Sequence, residues 1–269
     1  METHWIDNVH QSALKNINHL RKMIEMDMKY VSPDEKSLLK FLIANDGQPD
    51  KAFQAVKNFI SSMDRNPEIF RWSDGVYRAT MSESFCYSSH RGYNGELILL
   101  IRIKKWYPGE VGVEDLLRMS LFMVETSLLD EEVQRNGCVA IIDAEGISWT
   151  QFYQFGLSNV KLVSHFIDQC LPIKIKKIHI LNENRIVSFV YGMVEKFISH
   201  RLKSLIHFHG HDYQSIVDLY PGDCLPKYLG GNKENPDIQH IYEHMERNKD
   251  TVIATWRSFK SHHIDLQVF

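Results

Sequence analysis

The chain has 269 residues, of which 43% are hydrophobic, and its formal net charge at pH 7 is −3. That apolar share can fill a sizeable core, and the length suits one large domain or a main domain with a smaller appendage. The nearly balanced charge argues against a nucleic-acid-binding surface that covers the whole molecule, while it leaves room for local basic patches.

The cysteines and the N-terminal sequence indicate the compartment. The four cysteines form no C-x-x-C pair and are too few for a disulfide framework, which favours reduced intracellular thiols. The first residues lack the basic and apolar regions of a signal peptide, and no apolar run reaches the roughly 18 residues of a membrane-spanning helix. We therefore expect a cytoplasmic protein with no transmembrane segment.

Residues 1–66 are predicted to form an N-terminal helical lobe. Apolar residues recur at helical spacing over 14–24. A second helix is expected to start with the capping box at 32–35, with Pro33 at its first helical position and Glu35 reaching back to the cap. A third helix is expected to open in a cap region around residues 47–50. Such lobes usually serve packing.

From residue 94 the pattern changes to strands that alternate with helices. A strand over Glu96–Trp106 and a helix over Glu114–Gln134 are followed by three strand–helix units, whose strands are Cys138–Asp143, Ile175–Leu181 and Leu205–His209. This alternation predicts an α/β fold with a mainly parallel sheet. We assign residues 67–235 to this domain and 236–269 to a C-terminal helical tail that packs on it.

The helix predicted over 183–199 is unusual because it has no ionised side chain between Arg185 and Glu195. An ordinary surface helix keeps a polar face opposite its apolar face. A helix that is apolar all round must be buried on both sides or must face something other than water. A chamber for an apolar guest is therefore the leading interpretation.

Catalytic and metal-binding motifs are weak in this sequence. It contains neither glycine-rich phosphate motif, G-x-G-x-x-G or G-x-x-x-x-G-K-[ST], nor the hydrolase motif G-x-S-x-G. Asp143 and Glu145 follow a buried strand, where they could act in catalysis or cap the next helix, and we favour the cap. His207 and His209 could chelate a metal from one strand face, but hydrogen-bonded histidines are the better interpretation. We predict no catalytic residue, no metal and no cofactor.

Several short segments carry a resemblance to a known family. They occur in the family's order and spacing over about half of the chain, at residues 134–137, 142–146, 171–174, 178–183, 206–210 and 224–231. On these residues the chain resembles the CRAL-TRIO lipid-binding family, and within it the branch of alpha-tocopherol transfer protein and cellular retinaldehyde-binding protein. The resemblance implies a CRAL-TRIO fold, in which flanking helices and a gate helix cover a mainly parallel sheet, plus a small N-terminal all-helical lobe.

The resemblance also implies a lipid pocket beneath the gate helix 183–199. Its lining is expected to come from the helix at 114–134, the central strands, the helix that follows them and the inner side of the gate. Ser120 is the expected polar group that orients the guest, and Cys138 is a weaker one. The matching positions are Leu117, Ser120, Val124, Cys138, Ile142, Ile147, Phe155, Val163, Phe166, Ile167, Ile175, Ile178, Val187, Val190 and Val194.

Basic residues flank the apolar helix. A basic cluster beside an apolar element suits an anionic membrane surface, although a solvated basic edge is equally compatible with the charge pattern. By resemblance, Lys174, Lys176, Arg201 and Lys203 match phosphoinositide-binding positions of the family. Three further positions where tocopherol transfer protein has arginine hold Ile43, Asn45 and Leu205. We therefore expect general attraction to anionic membranes rather than phosphoinositide specificity.

Together these features predict a cytoplasmic, peripherally membrane-associated carrier, not an enzyme. It is expected to bind one tocopherol-, retinoid- or carotenoid-like molecule as cargo, to transfer it between membranes and to bind no nucleic acid. Two alternatives stay open at this point. One is a lipid-modifying enzyme that uses Asp143, Glu145 and a histidine, and the other is a membrane adaptor whose partner binding changes with lipid occupancy.

Overall fold

The computed structural model describes residues 2–28 and 31–260, and it begins with three helices. These helices are α1 (Glu2–Asp27), α2 (Glu35–Ala44) and α3 (Pro49–Arg65). The predicted start of α2 is wrong, because Asp34 caps the helix by accepting a hydrogen bond of 2.9 Å from the Ser37 amide. The helix therefore begins two residues after Pro33. The start of α3 at Pro49 lies within the predicted cap region.

Five strands form one sheet in the order β1-β2-β3-β4-β5. They are β1 (Phe85–Arg91), β2 (Leu97–Arg102), β3 (Cys138–Asp143), β4 (Ile175–Leu181) and β5 (Ile206–Phe208). The edge strand β1 pairs antiparallel with β2, and all other neighbours are parallel. The α/β fold with a mainly parallel sheet is confirmed, and β3 and β4 have the predicted bounds.

The remaining helices cover and connect the strands. They are α4 (Gly75–Met81), α5 (Val113–Ser127), α6 (Glu131–Asn136), α7 (Trp149–His165), α8 (Arg185–Val194), α9 (His200–Leu205), α10 (Gln214–Val217) and α11 (Ile238–Ser258). Short 3-10 turns lie at Pro67–Phe70, Ile103–Lys105 and Lys227–Leu229, and a π-helical turn, Phe166–Cys170, extends α7. None of the described helices is long and apolar enough to cross a membrane.

Several sequence-based boundaries need correction, and β5 is one residue shorter at each end than the strand predicted over 205–209. The strand predicted to reach Trp106 ends at Arg102, where a 3-10 turn begins. The single helix predicted over 114–134 is two helices, because Asp130 accepts a hydrogen bond from the Glu132 amide and so starts α6. The predicted gate helix 183–199 is shorter: Asn184 caps α8, and the chain leaves the helix after Val194.

An aromatic cluster ties the N-terminal helices to the C-terminal one. The ring centroids of Phe41 and Phe59 lie 5.7 Å apart, and both rings contact Phe259 at 5.6 and 5.5 Å. The predicted division at residues 66 and 235 stays a prediction. Part of the predicted tail, residues 261–269, lies outside the described residues.

Candidate functional site

One face of the sheet carries apolar side chains that are incompletely buried. Ile101, Ile142, Ile180 and Phe208 stand side by side in register across β2 to β5. The three isoleucines are only half-buried and Phe208 is 41% exposed, whereas Ile141, on the opposite face of the central strand, is fully buried. A close-packed core would leave inner-strand isoleucines inaccessible. Solvent therefore has access to the carboxyl-terminal half of this face of the sheet.

The helix α8 contacts this row at its β5 end. The ring of Tyr191 packs edge-on against Phe208, with centroids 5.2 Å apart. Val187 and Val190, which share one face of α8, are half-buried although both are apolar. The apolar helix predicted from sequence is thus neither a normal surface helix nor a sealed core helix, and we call α8 the gate helix.

Aromatic side chains at the contact between α7 and the gate helix face outward. Trp149 and Phe152 contact Phe189 with centroid distances of 5.7 and 6.1 Å, and Tyr153 packs on Trp149 at 6.0 Å. Trp149, Tyr153 and Phe189 are exposed large side chains. We call these four residues the aromatic rim. Contiguous exposed apolar groups of this kind usually mark a binding surface.

The predicted lining residues divide by exposure. The half-buried residues, which solvent can reach, are Leu117, Ser120, Ile142, Ile147, Phe155, Val163, Ile167, Val187 and Val190. Those that are buried are Val124, Cys138, Phe166, Ile175, Ile178 and Val194. Their common role as the wall of one pocket stays a prediction.

The two polar lining candidates, Ser120 and Cys138, differ in whether they are accessible for a hydrogen bond with a ligand. The Ser120 hydroxyl donates a hydrogen bond of 2.8 Å to the carbonyl of Leu116, so its oxygen can still accept one from a guest. Cys138 is fully buried, and burial raises the pKa of its thiol to about 12. Ser120 is therefore the better placed of the two to orient a ligand.

Two clefts occur elsewhere in the described part of the chain. The smaller, about 40 Å³, lies at the carboxyl-terminal end of the gate helix, where Lys161, His165 and Asp168 face Val194 and Phe197. The larger, about 400 Å³, is polar and lies around Glu83, Lys105 and Tyr107. Neither is lined by β3 or by the inner side chains Val187 and Val190. The predicted apolar chamber under the gate helix therefore stays a prediction.

Three of the four predicted membrane-binding residues pair with acids. Lys174 forms an ion pair with Asp46. Lys176 Nζ lies 3.5 Å from Glu96 Oε1, and Arg201 Nη2 lies 3.2 Å from Asp168 Oδ1. Lys203 is half-buried. The structure therefore neutralises much of this basic cluster internally.

Asn45 is one of the three positions at which, by the resemblance, this chain lacks an arginine. Asn45 donates a hydrogen bond of 2.8 Å from its side-chain amide to the carbonyl of Phe41 and so caps the carboxyl-terminal end of α2. Its neighbour Asp46 supplies the carboxylate that pairs with Lys174. An acid thus lies next to one of the positions at which, by the resemblance, this chain lacks an arginine.

Of the groups singled out in the sequence, His209 and the two carboxylates are hydrogen-bonded within the protein, whereas His207 is exposed and stacks on His179. His209 Nε2 lies 2.8 Å from His179 Nδ1, and the described residues contain no group of three or more side chains that could hold a metal. Buried Asp143 accepts hydrogen bonds from the side-chain amide of Asn182 and from the Glu145 amide. The Glu145 side chain pairs with Lys104, and this hydrogen-bonded cation lowers the pKa of Glu145.

Comparisons with known proteins agree with the fold. The family model of the CRAL/TRIO domain matches residues 81–231. Alpha-tocopherol transfer protein-like from Mus musculus is 28% identical over 222 residues, which cover 81% of this chain and 65% of that protein. Clavesin-1 from Xenopus laevis is 26% identical over 231 residues, which cover 84% of this chain and 68% of that protein.

A solved structure extends the likeness to most of the chain. The crystal structure of Sfh5 superposes with a TM-score of 0.57 at 13% identity, covering 90% of this chain and 98% of that one, which supports the fold alone. The match to the mouse relative spans just under two thirds of that protein's length. With the family model covering more than half of its residues, and with the sheet and gate helix in place, this chain belongs to the CRAL/TRIO domain family.

Proposed function

We propose that this protein is a carrier that binds one hydrophobic small molecule between the sheet and the gate helix and transfers it between membranes. The observation that carries this proposal is the half-exposed row of Ile101, Ile142 and Ile180 under an apolar helix. The names of the tocopherol-transfer relatives favour a guest that resembles tocopherol. A retinoid- or carotenoid-like guest stays part of the proposal on the family resemblance alone. No covalent chemistry is part of this role.

Apolar contact alone can supply the binding energy. A guest with about 300–500 Å² of apolar surface gains roughly 8–12 kcal/mol at about 25 cal/mol per Å², before the entropy costs of binding. A polar anchor is then needed for orientation rather than for affinity. Ser120 suits that task because its oxygen can accept a hydrogen bond from a hydroxyl group on the guest.

Peripheral contact with membranes follows from the aromatic rim and the basic residues. Tryptophan and tyrosine combine an apolar ring with a polar group and favour the membrane–water interface. Trp149 and Tyr153 present such rings at the edge of the gate helix. We propose that the rim enters the headgroup layer while the cations attract the anionic surface, which fits a cytoplasmic protein that visits membranes.

An enzymatic role for the two acids is less well supported. The buried carboxylate of Asp143 is engaged by Asn182, whereas Glu145 pairs with Lys104 at the surface. The two carboxylates therefore lie in different environments, that of Asp143 buried and that of Glu145 at the surface. The adaptor alternative predicts lipid binding without transfer between vesicles, so a transfer assay separates it from the carrier.

The carrier proposal is tested by filling the space under the gate helix. Val190→Trp adds bulk on the inner face of α8 and should block uptake of nitrobenzoxadiazole-labelled tocopherol and of retinol, because the indole occupies the guest's place. The measurement is fluorescence titration, with native mass spectrometry of co-purified lipid on the wild type.

Ser188→Trp is the matched control, because Ser188 is exposed on the outer face of the same helix. It should leave uptake close to that of the wild type. Equal uptake by wild type and Val190→Trp at unchanged circular dichroism would place the guest elsewhere and defeat the proposal.

A further inference from the structure

Two arginines are buried in the described part of the chain, and their guanidinium groups are satisfied very differently. Arg118 donates from Nε and Nη2 to the Glu68 carbonyl, at 3.0 and 2.7 Å, and from Nη1 to the Ser73 hydroxyl at 2.8 Å. A buried arginine is normally paired in this way, because its charge and its donors lose water on burial. The protein's own acceptors therefore account for Arg118.

Arg102, at the end of β2, is satisfied less well. It is 9% exposed, yet its Nε has no hydrogen-bond partner among residues 2–28 and 31–260. Its guanidinium stacks on the Tyr228 ring, 3.7 Å from the centroid, and the buried Tyr228 hydroxyl has no partner in the same part of the chain. The ion pair with Glu83 spans 3.7 Å from Nη1 to Oε2, which is too long for a hydrogen bond. A buried charged donor in this state is unfavourable and calls for an acceptor.

Glu83, the acid beside Arg102, is shared and strained. Its Oε2 also lies 3.0 Å from Lys105 Nζ, so two cations face a single oxygen. Its backbone φ is 59°, in the left-handed region that residues other than glycine rarely adopt. The Ser82 and Ser84 hydroxyls, 2.8 Å apart, hold this turn. Residues kept in a strained backbone conformation cluster at functional sites.

These groups border a cleft that is large enough for a small molecule. Its volume is about 400 Å³, which is typical of ligand pockets. The polar residues that line it include Ser82, Glu83, Lys104, Lys105 and Tyr107. Alternation along β2 places Arg102 on the face opposite Ile101, so the cleft is separate from the space under the gate helix.

The charges in the cleft leave two cations for an anion. Lys104 already pairs with Glu145. The exposed Glu110 also lines the cleft, but water screens its repulsion. Arg102 and Lys105 have only one carboxylate oxygen between them, so they are the cations that an anion can bind.

We propose that this cleft, which we call the Arg102 cleft, binds a phosphate group carried by a small molecule or by a lipid headgroup. The phosphate oxygens accept from the Arg102 guanidinium and from Lys105 Nζ, and the Glu83 side chain turns away from them. A phosphate has several acceptor oxygens, so each cation gains its own partner where the two now share one. The site lies outside the carrier function and needs no guest under the gate helix.

Nuclear magnetic resonance of the Arg102 Nε–H group tests the site directly. Isotope-labelled protein is titrated with inorganic phosphate at constant ionic strength, up to about 20 mM, well above a millimolar Kd. The Arg102 signal, identified by its loss in Arg102→Lys, should shift and saturate because the guanidinium gains an acceptor. A signal that phosphate leaves unmoved overturns the site, since Glu83 or an ordered water then suffices for Arg102.

Two variants test the arrangement of partners. Lys105→Gln should weaken phosphate binding by about three- to tenfold, and Glu83→Gln should strengthen it by a similar factor, since one removes a partner and the other a competitor. Lys51→Gln, the matched control, makes the same charge change at an exposed position on α3 and should alter binding less than about twofold.

The outcomes of the variant experiment are distinct. Equal weakening in Lys105→Gln and Lys51→Gln overturns the site, because the effect is then one of net charge. Weaker binding in a folded Glu83→Gln overturns the proposed role of Glu83 as a competitor. If Glu83→Gln does not fold by circular dichroism, the comparison of Lys105→Gln with Lys51→Gln alone supports or overturns the site.

Two further probes identify the source of the phosphate. Glycerol 3-phosphate presents it on a soluble molecule, and dihexanoyl phosphatidic acid presents it on a lipid. Tighter binding of the first supports a soluble ligand, and tighter binding of the second supports a headgroup. If both bind more weakly than inorganic phosphate, the cleft holds an adventitious ion only, which overturns the proposal.

Discussion

The histidines at the ends of β4 and β5 form a hydrogen-bonded chain whose direction is fixed by one carbonyl. The Ser215 hydroxyl lies 2.6 Å from the Asp212 carbonyl, which can only accept, so His209 must donate to Ser215. His209 then accepts from His179, and His179 accepts from the Tyr220 hydroxyl at 2.8 Å. Every ring nitrogen of the two histidines is used in the neutral state.

Acid should therefore weaken the fold through His179. Burial, with the neighbouring His209 and His207, lowers the pKa of His179 from 6.5 to about 3. Between these values the unfolded chain binds a proton that the folded one does not, so stability falls as pH decreases through this window. The loss approaches about 1.4 kcal/mol for each pH unit well below the unfolded pKa.

Urea unfolding at pH 7, 6 and 5 measures this dependence. His179→Gln should flatten the fall in unfolding free energy relative to the wild type, whereas replacement of the exposed His207 by Gln should preserve most of it. A wild-type slope that His179→Gln leaves unchanged would assign the acid sensitivity to other groups.

At the scale of elements, capping residues and not apolar pattern set the length of the gate helix. Asn184 accepts from the Ile186 amide at 2.9 Å and starts α8, while Ser199 accepts from the Leu202 amide at 3.0 Å and starts α9. After the charged Glu195 and Lys196, the apolar residues Phe197 and Ile198 follow without helix. From the apolar pattern alone, α8 and the segment up to Ser199 are predicted as one helix. Periodicity does not reveal where a side chain replaces a backbone hydrogen bond and so starts a new helix.

A buried ion pair joins α2 to α5. Lys40 Nζ lies 3.1 Å from Glu125 Oε2, and the side chains are 8% and 2% exposed. Glu125→Gln or Lys40→Met should destabilise the protein by about 3–5 kcal/mol, because each leaves the other charge buried and uncompensated. Denaturant unfolding provides the measurement.

The double variant Lys40→Met/Glu125→Leu should recover most of that loss, since an apolar pair can replace a buried ion pair. Arg135→Gln, which removes one partner of an exposed pair with Glu131, should cost less than about 1 kcal/mol. A double variant as unstable as the worse single one would show that packing around the pair, rather than its charge, is what matters.

At the scale of the whole molecule, most of the cations that are expected to attract a membrane have an acidic partner close by. The chain carries a net charge of −3, and three of the cations predicted to contact membranes pair with Asp46, Glu96 and Asp168. Exposed paired cations keep part of their attraction for an anionic surface, but each must give up a partner to bind a phosphate tightly. Such a surface favours charge attraction over recognition of one headgroup.

Four substitutions test this attraction. Changing Lys174, Lys176, Arg201 and Lys203 together to Gln should slow transfer to anionic vesicles and flatten its salt dependence, since each cation near the surface contributes about 1 kcal/mol or less. Ligand affinity should change little. Stopped-flow transfer of labelled tocopherol at several salt concentrations gives the rates.

A control with the same change in net charge replaces four exposed cations elsewhere, namely Lys36, Lys51, Arg135 and Arg247, by Gln. It should retain most of the wild-type rate. Equal slowing by both sets would show that the effect reflects overall charge and not the position of the cluster.

The sequence by itself determined the elements whose signals are local. β3 is an almost continuous apolar run and β4 is rich in isoleucine, and turns bound both, so their bounds could be predicted. The order of strands and helices implied the mainly parallel sheet. The family could also be predicted from short segments in order. The edge strand β1 was missed because its residues, such as Ser88 and Ser89, lack an apolar pattern.

Only the tertiary structure decided which charges meet and which apolar side chains stay accessible. Lys174 and Asp46 are 128 positions apart, and Arg201 and Asp168 are 33 apart, so no local pattern pairs them. Ile141 and Ile142 are identical neighbours in sequence, yet one is sealed and the other opens toward the gate helix. Residue type fixes what a side chain can do, whereas its surroundings in space, which distant segments supply, fix whether it is free to do so.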